Sequence, residues 1–144
     1  MSAHAATAES AAWRRRPPSP WFCAVVLGAV ILSLKTRDLG STLRLARRYA
    51  RGPLAIGSDH TLLVERTAHN VILAAAFFPL RARCLEQSIA LYVLLRRRGI
   101  SVDFKLGAQP YRFRAHAWIE YRGIPINEEG EIVRGLVVLP EIPV

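Results

Sequence analysis

Among the side chains that could carry covalent chemistry, the two cysteines sit in unlike surroundings. Cys84 precedes Leu85-Glu86-Gln87-Ser88 at the start of an apolar pattern of helical period. Cys23 lies inside the apolar run Trp21-Phe22-Cys23-Ala24-Val25-Val26 and reads as a small buried hydrophobe. A helix N-terminus presents unpaired backbone N–H groups and partial positive charge, both of which favour thiolate over thiol. Arg81 and Arg83 add positive charge just upstream of Cys84. The same N–H groups can hold the oxyanion formed when a thiolate attacks a carbonyl. Cys84 therefore has the setting of a nucleophile.

A base for that nucleophile comes later in the chain. Alternation along Phe113–Tyr121 predicts a strand with His116, Trp118 and Glu120 on one face and Ala115, Ala117 and Ile119 on the other. The alanines beside His116 leave room for a second group to approach. A helix-start cysteine followed by a strand histidine is the chain order of papain-like sites. The imidazole there takes the thiol proton and later protonates the leaving amine. A third group should orient the imidazole. Asn127, Glu128 and Glu129 follow a turn at Arg122-Gly123 that brings the chain back beside the histidine strand. Asn127 and Glu128 are both chemically able, and geometry must choose. His60 and His69 lack the paired spacing of a zinc site such as C-x-x-C or H-E-x-x-H, and there is no G-x-x-x-x-G-K-[ST] or G-x-G-x-x-G. The sequence thus calls for no metal and no nucleotide cofactor.

Positioning these residues requires helices first and a sheet afterwards. Residues 1–20 are rich in Ala, Ser and Pro and read as a flexible N-terminal extension, leaving 21–144 as one folded domain. From Trp21 to about Arg51 the pattern predicts one long helix or two, weakened near Gly40. Gly57-Ser58-Asp59 offers a cap for a helix over His60–Phe77, closed by Pro79. The helix that begins at Cys84 ends in Arg96-Arg97-Arg98 and Gly99, as the helix dipole and a left-handed C-cap favour. Beyond it the period changes to two, with strands over Val102–Leu106 and Phe113–Tyr121 and a tight turn into Ile124-Pro125-Ile126. Helices followed by an antiparallel sheet make an α+β class.

A net charge of +9, carried by clustered arginines, favours acidic partners without choosing among them. Solvated helix faces account for such clusters as well, and no nucleic-acid partner is assigned. Two cysteines are too few for a disulfide framework, which fits a cytoplasmic setting. The Trp21–Leu34 run follows three arginines but is shorter than the roughly 20 residues needed to span a bilayer. It reads as a buried or partner-facing helix, with peripheral membrane contact as the second reading.

Three segments carry a family resemblance: Arg83-Cys84-Leu85-Glu86-Gln87-Ser88, Leu91 through Gly99, and Ala115-His116-Ala117-Trp118-Ile119-Glu120 with Gly123. On these residues the sequence resembles the lasso-peptide biosynthesis B proteins, transglutaminase-like leader peptidases. The resemblance implies a papain/transglutaminase-like fold and hydrolysis of the bond joining leader to core in a precursor peptide. It places the nucleophile at Cys84, the base at His116 and the acidic third member at Glu128, where the family often has Asp. Residues 1–80 lack the strands of the leader-binding domain that many members carry. The resemblance therefore implies a stand-alone peptidase half that works with a separate leader-binding protein and a lasso cyclase. Two other readings fit the residues: a transglutaminase-like acyl transferase, and a nonenzymatic basic helical protein that binds membrane or nucleic acid.

Overall fold

The computed structural model describes residues 12–140, apart from 56 and 113. Among the described residues a helical turn at 12–14 is followed by four longer helices, α1 (Pro20–Thr36), α2 (Leu39–Tyr49), α3 (Thr61–Phe77) and α4 (Cys84–Arg97). Strands β1 (Asp103–Gln109), β2 (Arg114–Tyr121) and β3 (Ile124–Pro125), a short helix α5 (Gly130–Arg134) and strand β4 (Val137–Val138) follow. The α+β class read from the sequence is the observed one.

The 21–51 segment divides into two helices, and the break falls at Arg37-Asp38, ahead of Gly40. Arg37 is extended, and Asp38 Oδ2 accepts the Ser41 N–H at 3.1 Å, so Asp38 caps α2 and Gly40 rides inside its first turn. Hydrogen bonds from Ser41 hold the Asp38 carboxyl below the usual carboxylate range. The extension expected over residues 1–20 is fastened from Trp13 onward, whereas residues 1–11 lie outside the described residues. Arg98 Nε donates to the Arg16 carbonyl at 3.1 Å, Asn70 Nδ2 donates to the Pro18 carbonyl at 2.8 Å, and the Arg98 guanidinium lies 5.2 Å from the Trp13 ring centroid. Two backbone carbonyls thereby find partners and one ring a cation, which ties the segment to α3 and the end of α4.

α4 is the central helix. Ser88 through Leu91, Leu94 and Leu95 are all buried, so it is covered over most of its circumference. Its leucines share a core with Cys23 of α1, Val64, Ala68 and Val71 of α3, and Ile119 of β2. Truncating one of these leucines to alanine would cost about 2–5 kcal/mol. Gly99 ends the helix at φ +82°, and a Cβ there would stand 2.8 Å from the Pro53 carbonyl oxygen, so glycine is required twice over.

The sheet has the order β3-β2-β1-β4, with every pair antiparallel. β1 starts at Asp103 and continues to Gln109, past the expected end at Leu106, because it pairs residue by residue with β2 as far as Arg114. Gly107 stands opposite His116, and a Cβ on it would lie 2.8 Å from the Trp118 ring. The bare backbone of Gly107 thus makes the space that lets the Trp118 indole lie flat and fully buried on the His116 face. Leu136, just before β4, closes the same spot.

Candidate active site

Cys84 occupies the first position of α4 and is partly exposed. The approach to it is fixed by the residues that follow. Glu86 Oε2 accepts the Arg83 N–H at 3.0 Å, and Gln87 Nε2 donates to the Ala82 carbonyl at 3.0 Å, so the chain entering the helix is held on both sides of the cysteine. The N-cap residue Arg83 makes no side-chain cap, since a guanidinium carries only donors. The first-turn N–H groups are therefore left without a cap acceptor, the condition for receiving an anion.

His116 lies near the start of β2, and its Nδ1 is 3.5 Å from Glu128 Oε2. Both side chains are largely enclosed, 23% and 17% exposed, so the pair is little screened by solvent. Nδ1 is shielded from water and has no hydrogen-bond partner among the described residues.

The three acidic or amide candidates after the Arg122-Gly123 turn separate cleanly. Asn127 Oδ1 accepts the Ile119 N–H at 2.8 Å and its Nδ2 donates to Ser88 Oγ at 2.8 Å, so its amide is engaged elsewhere. Glu129 is exposed and begins α5 as its N-cap. Glu128 alone of the three reaches the imidazole.

Ser88 connects this arrangement to the cysteine. It is fully buried, donates to the Ala117 carbonyl at 2.9 Å and accepts from Asn127. Farther along, Leu91 and Leu95 of the same helix share a core cluster with Ile119, so α4 and β2 run side by side in the same direction. Cys84 precedes Ser88 by one turn on the same helix face, and His116 precedes Ala117 by one residue. Cys84 and His116 are thus each close along the chain to one end of the Ser88–Ala117 hydrogen bond. Among the described residues no hydrogen bond joins the Cys84 thiol to the imidazole; such contacts are commonly long before substrate binds.

The family model of the transglutaminase-like superfamily matches residues 24–140, most of the chain, from within α1 through β4. The chain belongs to the transglutaminase-like superfamily. No curated protein and no solved structure matches it. Transglutaminase-like domains are generally cysteine peptidases or acyl transferases, which form a thioester and then pass the acyl group to water or an amine.

Sequence reasoning passed over two residues of this transglutaminase-like site, Ser88 and Asn127 in its positioning role. The signal for Ser88 was present as one hydroxyl at i+4 from the cysteine in an otherwise apolar helix face. A buried polar group requires a partner, and here it has two. Trp118 and Glu120, noted only for sharing the histidine's face, are joined by a 2.9 Å hydrogen bond from the indole N–H to Glu120 Oε1, which satisfies the one polar atom of a buried tryptophan. Cys23 has no place in the site.

Proposed function

We propose that the protein is a cytoplasmic cysteine peptidase that removes the leader from a lasso-peptide precursor, working with a separate leader-binding protein and a cyclase. The observation that carries the peptidase reading is the 3.5 Å approach of Glu128 to His116 on the strand that Ser88 ties to the Cys84 helix. The choice of substrate rests on the Arg83–Ser88 and Ala115–Glu120 segments that resemble lasso-peptide B proteins.

His116 takes the Cys84 proton as sulfur attacks the scissile carbonyl, and Glu128 holds the ring through Nδ1 and stabilises the imidazolium. The first-turn N–H groups of α4 bind the oxyanion. Collapse breaks the C–N bond, and His116 returns the proton to the leaving amine of the core peptide. A water then attacks the thioester, again losing a proton to His116. The C–S bond breaks, the leader acid departs, and the proton returns to sulfur.

The reading is tested by incubating the protein with a precursor peptide, leader-binding protein and a small primary amine, and weighing the products. A free leader acid that disappears with Cys84→Ala is the expected result. An amine-ligated leader would make the protein an acyl transferase, and processing that survives Cys84→Ala would end the proposal.

A further inference from the structure

A cavity of about 780 Å³ is an open groove whose lining includes neither Cys84 nor His116, bounded by α1, α2, the C-terminal half of α4 and, at one edge, Trp13. Each helix turns a stripe of helical spacing toward it. α1 supplies Phe22, Val25, Val26, Ala29 and Val30, which are i, i+3, i+4, i+7 and i+8. α2 adds Leu45, Ala46 and Tyr49, and α4 adds Val93, Leu94 and Arg97. Such stripes are what one helix presents to another. Among the described residues no helix covers these stripes: Val25 is 68% exposed and Tyr49 61%. The small side chains of Ala29 and Ala46 lower the two walls, which permits close approach of a backbone.

Charge selects the occupant. Arg97 stands exposed at one end of the groove, next to Arg98, whose buried guanidinium is held by the Arg16 and Leu94 carbonyls, and among the described residues no acidic side chain lines the groove. A second copy of this chain, with its net charge of +9, would meet like charge. We infer that the groove receives an amphipathic helix of a partner protein, its apolar face on the α1 and α2 stripes and its carboxylates against Arg97. At 1.5 Å per residue the 17-residue α1 offers a bed of about 25 Å, enough for some four turns. The site is independent of the peptidase chemistry, because none of its residues touches Cys84, His116 or Glu128.

The test uses the full chain and two labelled synthetic helices of α1's length, with leucine on one face and either glutamate or lysine on the flanks. The glutamate peptide should bind saturably, with a Kd in the micromolar range, and equally well to Cys84→Ala. Ala29→Arg and Arg97→Glu, both at exposed positions, should each weaken it tenfold or more with an unchanged thermal melt. Val25→Glu serves in place of either variant that melts early. Absence of binding, equal binding of the lysine peptide, or indifference to these substitutions would overturn the inference. So would uptake by phosphatidylglycerol vesicles that the glutamate peptide fails to displace, since the stripe would then face lipid.

Discussion

Cys23 and Cys84 carry the same thiol in opposite surroundings. Cys23 is fully buried in α1 against Val64, Leu91 and Ile119, its sulfur 4.0 Å from the Pro18 carbonyl. Burial pushes its thiol up to about 11 from an ordinary 9.0, with the Arg98 guanidinium opposing the rise only in part. Cys84 stands partly exposed at a helix start whose N-cap side chain makes no cap, and β2, which the Ser88–Ala117 hydrogen bond joins to that helix, carries the His116 that approaches Glu128. The lesson is that a thiol's character follows from where on a helix it stands: low polarity makes Cys23 a packing group, whereas Cys84 at a helix start has the setting that the proposed peptidase reading assigns to a nucleophile.

The comparison breaks most visibly if the wrong cysteine is removed. Cys84→Ala should lower precursor cleavage by on the order of 10³-fold or more with the melt unchanged, while Cys23→Ala should leave the specific rate of folded protein within about twofold. Mass spectrometry of the precursor reads the first and a thermal melt the second. Next, Glu128→Gln should lower kcat by roughly 10²–10⁴-fold with KM little changed, whereas Glu129→Gln should be nearly silent. Equal losses at the two positions would remove the reason for pairing Glu128 with His116.

Smaller effects concern position and packing. Asn127→Ala strands the Ser88 hydroxyl and the Ile119 N–H, and should cost about 1–3 kcal/mol in denaturant unfolding while lowering kcat through the displaced helix start. The smallest effect is alkaline. Because the folded Cys23 holds its proton up to about 11 and the unfolded one only to about 9, its contribution is fully present below pH 9. It is lost between pH 9 and 11, with a slope of up to roughly 1.4 kcal/mol per pH unit. Cys23→Ala should flatten that part of the stability curve, and in native protein a thiol reagent should label Cys84 well ahead of Cys23.

Much of this was legible in the chain. α3 and α4 fall within a residue or so of their expected ends because the apolar period agrees with the closing Pro79 and Gly99, although neither N-cap side chain bonds the helix. The α1–α2 break was misplaced because Gly40 drew attention from Asp38, whose capping power depends on the Ser41 N–H three residues on. α5 and β4 were not foreseen. Five-residue and two-residue elements have too little periodicity to read, and β4 exists only because β1 offers it an edge.

The residue types and order by themselves determined a helix-start cysteine, a strand histidine with small neighbours and a short list of candidates to orient it, since these depend on local period and capping. Tertiary structure decided which of Asn127, Glu128 and Glu129 meets the imidazole. Three successive residues leaving a turn point in different directions, and only the packing of Asn127 between Ser88 and Ile119 leaves Glu128 turned toward His116. It also decided that Cys23 is buried with its thiol pushed up to about 11, because a thiol's environment comes from three helices and a strand that lie far apart in the chain.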